Sequence, residues 1–124
     1  MKKVLILGAG FVTSPMVEYL LKENFKVGVG DIDREKAKKL IKGNPNGTDF
    51  KIDVNDNNTL TETIKNYDLV VSLLPWNFHL KVAEVCLANK KHLVTTSYVK
   101  KEMAALDEKV KNSDLIFLNE CGLD

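Results

Sequence analysis

A glycine-rich segment near the start of the chain has the residue types that a phosphate-binding loop requires. Gly8-Ala9-Gly10 follows an apolar run, Lys3 to Leu7, and precedes residues 13 to 23, whose apolar positions recur at helical spacing. Gly8 permits a tight turn, and Gly10 allows a pyrophosphate to approach the backbone at the N-terminus of a helix. Because this pattern lies between a predicted strand and a predicted helix, it favours a dinucleotide site over a plain turn.

The glycine loop departs from the usual pattern at its third position. Thr13 stands there in place of the glycine or alanine that normally allows close packing between the helix and the sheet. The strand and helix on either side of the loop still predict that it binds a cofactor.

An acidic residue follows the loop at the spacing expected for a ribose contact. Asp31 ends the predicted second strand, about 20 residues past the glycines, where a carboxylate accepts hydrogen bonds from the adenosine ribose and repels a 2′-phosphate. This position predicts NAD, with NADP less favoured. Asp33 is a second candidate for the cofactor site, although its place favours capping of the next helix. Arg34 is the opposing signal, because an arginine just past this strand can pair with a 2′-phosphate.

The elements that must position these residues alternate between strand and helix along the whole chain. Strands are predicted over Lys3–Leu7, Lys26–Asp31, Thr48–Ile52, Asp68–Leu74, His92–Thr96 and Leu115–Leu118, and helices over 13–23, 34–41, 77–88 and 100–111. One further helix extends to about Lys65, and residues 55–58 offer caps for its start. Strands separated by helix-length segments form parallel sheets. We therefore predict an α/β fold, a Rossmann-type doubly wound sheet with order 3-2-1-4-5-6, and one dinucleotide-binding domain over residues 1–124.

The end of the predicted fourth strand lies across the switch-point crevice from the glycine loop, so residues there should line the cofactor groove. Trp76 and Phe78 are candidate apolar walls near a nicotinamide, the alternative being that one of them packs under the loop. His79 falls in the first turn of the next helix, where we expect it to be solvated rather than to act as a general base.

The composition excludes several classes of protein. The 124 residues, 44% hydrophobic and 28% charged, fit one globular domain. A net charge of +1 gives no electrostatic reason to expect nucleic acid or an anionic membrane as a partner. Cys86 and Cys121 lack a metal-binding or disulfide spacing and are consistent with a reducing cytoplasm. We expect a cytoplasmic protein without a metal or a membrane span, and a homodimer is compatible with the sequence.

Five segments occur in the order of one known family. They are Gly8 to Pro15, Ile52 to Asn55, Val71 to Pro75, Leu93 to Val99 and Asn119 to Asp124. They resemble the motifs of the saccharopine dehydrogenases (L-glutamate-forming), also called saccharopine reductases, and they extend over the whole chain. In that family a large substrate domain follows the last motif, so we expect residues 1–124 to provide the cofactor domain without it.

The resemblance implies an oxidoreductase of lysine metabolism that acts on a secondary amine. Saccharopine would give a hydride to the nicotinamide, and the imine would hydrolyse to glutamate and aminoadipate semialdehyde. The small-molecule partners would then be a dinucleotide and an amino-acid substrate. Recognition of the carboxylates of saccharopine calls for converging arginines or lysines. The predicted strand ends offer only Arg34 and His79, with Lys100 and Lys101 at the start of a helix, so we expect these residues alone to be inactive.

The same resemblance implies roles for individual residues. Gly10, Val12 and Thr13 would hold the pyrophosphate region, Asp31 the ribose and Asp53 with Val54 the adenine side, and Leu74, Ser97 and Tyr98 would lie toward the nicotinamide. The predicted cofactor site also includes Gly8, Phe11, Asp33 and Pro75. Ser97, Tyr98 and Asp124 would contact substrate. No residue is assigned as the catalytic base.

Two other functions compete with this interpretation. A stand-alone NAD-sensing regulatory module has this length and a similar glycine loop, but a sensor has no need of the substrate-side segments Leu93–Val99 and Asn119–Asp124. The second alternative is a related dehydrogenase that acts on carboxynorspermidine or another imine-derived amino acid.

Overall fold

Strands and helices alternate along the computed structural model of the chain, which describes residues 2–10, 13–74, 78–95 and 117–118. The elements are β1 (Lys3–Leu7), α1 (Thr13–Lys22), β2 (Lys26–Asp31), α2 (Arg34–Ile41), β3 (Gly47–Lys51), α3 (Asn57–Ile64), β4 (Leu69–Ser72), α4 (His79–Ala88), β5 (His92–Thr95) and β6 (Phe117–Leu118). The predicted alternation is therefore present as far as the residues are described.

The strands form a parallel sheet with β1 near its centre. The order β3-β2-β1-β4-β5 confirms the predicted Rossmann-type order for these five strands. Phe117 and Leu118 pair in parallel with β5 at the far edge and form the short β6. The predicted start of the sixth strand, Leu115, and the predicted helix 100–111 lie outside the described residues, so a full-length sixth strand stays a prediction.

Side chains that alternate along β1 build two cores, one on each face of the sheet. Leu5 and Leu7 pack with residues of α3 and α4, among them Leu60 and Val82. Val4 and Ile6 face the other side, where the partners come from α1 and α2 and include Val17, Ala37 and Ile41. The apolar run of β1 follows from this burial on both faces, as is usual for a parallel strand covered by helices.

The register brings the carboxyl ends of three strands to one level. Leu7 of β1 pairs with Gly30 of β2 on one side and with Ser72 of β4 on the other. The chain leaves all three strands at this edge, so the glycine loop, the residues after Asp31 and the residues after Ser72 lie close together.

The bounds of β3 and β4 differ from the predictions. β3 spans Gly47–Lys51 rather than Thr48–Ile52, because the Gly47 N–H completes the preceding turn on the Asn44 carbonyl while Gly47 already pairs with β2. β4 is confined to Leu69–Ser72, although the Leu73 N–H still donates to the Leu7 carbonyl at 2.8 Å. β5 begins at His92 as predicted and is described as far as Thr95, and its predicted last residue, Thr96, is outside the described residues. In β4 the regular strand therefore ends before the apolar run does.

The starts of α2 and α3 follow their capping residues. Asp56, within the predicted cap region, caps α3 by accepting the Thr59 N–H, so the helix begins at Asn57. Asp33 caps α2 by accepting the Glu35 N–H, which confirms the predicted capping role. Among the described helices, none has the length and apolar character that a membrane crossing requires.

Candidate functional site

A cavity of about 550 Å³ opens at the carboxyl ends of β1, β2 and β4. Its lining comes from four connections, and the residues are Gly8, Ala9, Gly10, Asp31, Ile32, Lys36, Ile52, Asp53, Val54, Asn55, Leu73, Leu74 and Phe78. The volume is within the range of small-molecule sites, and the place is the crevice where doubly wound sheets bind ligands. A groove of about 700 Å³ between α3 and α4 is larger, but α3, α4 and the residues that end them line it, away from the strand ends.

Gly8 is required by the fold. Its φ of +102° is a conformation that residues with a side chain rarely adopt. An added Cβ would also lie 3.1 Å from the carbonyl carbon and oxygen of Leu73, at the exit of β4. The Gly8 N–H donates to the Gly30 carbonyl at 2.8 Å, so the turn begins directly at the end of the sheet pairing.

Gly10 is not required by the fold in the same way. It is exposed, its φ is not in the left-handed range, and an added Cβ would meet no atom within 4 Å. The space beside it is part of the cavity. A glycine here leaves room for a group that approaches the backbone from the cavity, which is what a pyrophosphate needs.

Thr13, the departure from the glycine pattern, closes the loop from below. Its side chain is fully buried, and its hydroxyl donates to the Gly8 carbonyl at 3.0 Å and accepts the Gly10 N–H at 3.2 Å. The Thr13 N–H also donates to the Gly10 carbonyl at 3.1 Å. Thr13 therefore shapes the loop from within and is not among the described residues that line the cavity. Its predicted cofactor contact stays a prediction.

Asp31 lies at the cavity and has both of its carboxylate oxygens engaged. One oxygen accepts the Ala9 N–H and the other accepts the Asp33 N–H, each at 2.8 Å. Asp31 is half-buried and lines the cavity beside the exposed Ile32. A carboxylate oxygen has two lone-pair sites, so both oxygens can still accept a ribose hydroxyl.

The charged residues at the start of α2 differ in whether they line the cavity. Arg34 donates from Nε to the Asp49 carboxylate of β3 at 2.7 Å, and this bond is the main reason that the pKa of Asp49 is lowered. Arg34 and Asp33 do not line the cavity, whereas Lys36 does. Among the described lining residues Lys36 is the only lysine or arginine, and the sequence patterns did not single it out.

The remaining described candidates line the other walls of the cavity. Asp53 is exposed and Val54 is buried, and both follow the end of β3. Leu74 and Phe78 line the wall after β4 and also pack against the core under α3 and α4. Both interpretations of Phe78, as a cavity wall and as a packing residue, therefore apply to the same side chain.

His79 is buried, so the expectation of a solvated histidine was wrong. Its side chain is 1% exposed, and its Nδ1 is 2.8 Å from the hydroxyl of the equally buried Ser72. Desolvation lowers the pKa of His79 below its ordinary value. The pair joins the end of β4 to the start of α4, and so it anchors both ends of the connection that carries Leu74 and Phe78.

Several sequence candidates fall outside the described residues. They are Phe11, Val12, Pro75, Trp76, Ser97, Tyr98 and Asp124, and their roles stay predictions. Within the described residues no group of three or more histidine, cysteine or acidic side chains is arranged to hold a metal. Burial raises the pKa of Cys86 to about 12, so this thiol stays protonated at neutral pH.

The turn at Gly8, the open space at Gly10 and the acidic residue Asp31 at the end of β2 define a Rossmann-type dinucleotide-binding domain. Comparison with known proteins agrees. Residues 4–118 match the family model described as the saccharopine dehydrogenase NADP binding domain, and the chain belongs to this family.

Individual relatives extend over nearly all of the chain but are much longer. Saccharopine dehydrogenase (NADP(+), L-glutamate-forming) of Pyricularia oryzae is 43% identical over 123 residues, which cover 99% of this chain and 27% of that protein. The mitochondrial alpha-aminoadipic semialdehyde synthase of Bos taurus is 34% identical over 99% of this chain and 13% of its own length. The structure of apo saccharopine dehydrogenase (L-Glu forming) from Saccharomyces cerevisiae superposes with a TM-score of 0.90 at 32% identity, covering 100% of this chain and 28% of that one.

The two loop glycines should respond differently to alanine. Gly10→Ala should weaken dinucleotide binding severely while changing the unfolding free energy by no more than about 0.5 kcal/mol, because its Cβ would enter the cavity rather than the protein. Gly8→Ala should lower stability by about 1–3 kcal/mol because of its positive φ, and should also weaken binding. Thermal melts and cofactor titrations of both variants measure this. If Gly10→Ala unfolds the domain while Gly8→Ala only loses ligand, the two roles are reversed.

The buried His79 should make the domain sensitive to mild acid. Because its pKa is lowered in the folded chain, the unfolded chain binds more protons below the ordinary pKa of 6.5. The unfolding free energy should therefore be unaffected by His79 above pH 6.5 and fall as the pH drops from there toward the folded pKa. Urea unfolding between pH 7 and pH 5 measures the loss of unfolding free energy, which His79→Asn should reduce. An equal loss in wild type and His79→Asn would contradict this.

Proposed function

We propose that this chain is the dinucleotide-binding part of a dehydrogenase that oxidises the secondary amine of saccharopine or a close analogue. The observation that carries the proposal is the cavity at the carboxyl ends of β1, β2 and β4, with Gly8, Gly10 and Asp31 in its wall. The family match and the names of the relatives supply the reaction class. The proposal includes a full-length sixth strand over 115–118 beside β5.

Each wall of the cavity has a role in this proposal. The open backbone at Gly10 receives the pyrophosphate, next to the N-terminus of α1. Asp31 accepts hydrogen bonds from the adenosine ribose, with Asp53 and Val54 on the adenine side. Leu74 and Phe78 form the apolar wall toward the nicotinamide. A bound nicotinamide held against this wall would supply the hydride acceptor for oxidation of the secondary amine.

The chain spans about a quarter of the length of its saccharopine dehydrogenase relatives. The carboxylates of the substrate require several cationic side chains. Lys36 is the one lysine or arginine that the described residues contribute to the cavity wall, which it lines together with Asp31. We propose that the other cations, and the catalytic base, come from residues beyond those described.

For the cofactor we propose NAD in preference to NADP, although the names of the fungal relatives specify NADP(+). Asp31 presents a carboxylate where a 2′-phosphate would lie. Arg34, the cation that favoured NADP on sequence grounds, is paired with Asp49 and is not among the described residues that line the cavity. Lys36 is the remaining cation on this side, and it should permit weaker binding of NADP.

Calorimetric titration of the chain with NAD and NADP tests both parts of the proposal. NAD should bind more tightly than NADP, and Asp31→Ser should narrow the difference. Lys36→Gln should weaken NADP binding by about tenfold, which is the effect expected for loss of one charge-assisted hydrogen bond, and should change NAD binding little. Arg34→Gln is the matched control two residues away, and it should leave the difference between NAD and NADP binding unchanged.

The outcomes separate the function from the cofactor preference. Tighter binding of NADP by the wild-type chain would overturn the preference for NAD and leave dinucleotide binding intact. Failure of both dinucleotides to bind would reject the proposed function itself.

A further inference from the structure

The Asp31 carboxylate does more than face the cavity, because it joins two loops that are distant in sequence. Its bond to the Ala9 N–H spans 22 positions and reaches the glycine loop. Its bond to the Asp33 N–H holds the turn between β2 and α2. Hydrogen bonds from backbone N–H groups to an ionised carboxylate are stronger than those between neutral groups.

Few other described contacts hold the glycine loop. Sheet pairing ends with the Gly8 N–H on the Gly30 carbonyl, and α1 begins only at Thr13. Between these points, the Ala9 N–H is bonded to Asp31 and the Gly10 N–H is bonded to the Thr13 hydroxyl. Glycines on both sides of Ala9 give this backbone more conformational freedom than any other residue type would. The conformation of Ala9 and Gly10 thus depends on the side chains of Asp31 and Thr13.

We propose that Asp31 is a positioning residue for the glycine loop, and that it couples the ribose site to the pyrophosphate site through one carboxylate. This rests on the proposed function for the identity of the ligand, but the positioning itself requires no ligand. Replacing Asp31 should then weaken binding of the pyrophosphate, which Asp31 does not contact, because the Ala9–Gly10 backbone is no longer held in the conformation that binds phosphate.

A matched pair of variants tests this. Asp31→Asn keeps the size of the side chain but replaces the charged carboxylate with one neutral oxygen and an NH2 group. Either the Ala9 or the Asp33 N–H therefore loses its acceptor, and the bond that remains is no longer charge-assisted. Asp33→Asn removes the same charge two residues away, where the carboxylate accepts the Glu35 N–H and does not line the cavity. The charge change is therefore common to both variants, and only Asp31→Asn alters the contact with the glycine loop.

The first readout is amide hydrogen exchange at Ala9 in the chain without any cofactor. Asp31→Asn should increase the exchange rate at Ala9 by about tenfold or more, as expected for loss of a bond to a charged group, and Asp33→Asn should leave it unchanged. An unchanged rate at Ala9 in Asp31→Asn would overturn the proposal. Because no ligand is added, this result is independent of whether the proposed function holds.

The second readout is binding of inorganic pyrophosphate, which has no ribose. Binding is measured from the chemical shifts of amides in the glycine loop. If Asp31 positions the loop, Asp31→Asn should bind pyrophosphate more weakly than Asp33→Asn does. Equal binding by the two variants would show that Asp31 acts on the ribose alone, and the coupling would be rejected. If the wild-type chain does not bind NAD, but Ala9 exchanges faster in Asp31→Asn, the proposed function is rejected and the positioning role of Asp31 is retained.

Discussion

The end of β1 at Gly8 is the constraint on which the cavity depends. β1 is paired on both sides, and its last residue, Leu7, is level with Gly30 and Ser72. The chain must turn there without a side chain, because the carbonyl of Leu73 occupies the space that a Cβ would need. That close approach sets the glycine loop against the exit of β4. The opposite walls of the cavity are consequences of this one contact and of the parallel register.

Polar side chains then hold what the sheet cannot. Beyond Gly8 the backbone has no strand partner, and the hydroxyl of Thr13 and the carboxylate of Asp31 satisfy its N–H groups. On the other side of the crevice, the buried Ser72–His79 pair ties the ends of the connection after β4. The walls of the cavity are thus fixed by a few specific hydrogen bonds placed at the edges of two apolar cores.

Much of this could be predicted from sequence because the signals are local. The bounds of β1 and β2 follow from their apolar runs, and the glycine loop marks the end of β1. Asp33, as a cap, marks the start of α2. Gly8 and Gly10 are distinguished because a tight turn requires a glycine at the first position and a ligand requires open space at the second. What could not be predicted depends on contacts between distant elements. Arg34 is drawn to Asp49 of the neighbouring strand, which leaves Lys36 at the cavity. His79 is buried because α4 starts over the end of β4, and no rule for a first helical turn contains that information.

The central claim is that a dinucleotide binds at the carboxyl ends of β1, β2 and β4. Amide chemical shifts measured while the chain is titrated with NAD test it most directly. We expect saturable changes in the amide chemical shifts of Gly10, Asp31 and Val54, which line the cavity. We expect none at Thr61 or Glu84, which line the groove between α3 and α4. Shifts confined to that groove, or no shifts at saturating NAD and NADP, would contradict it.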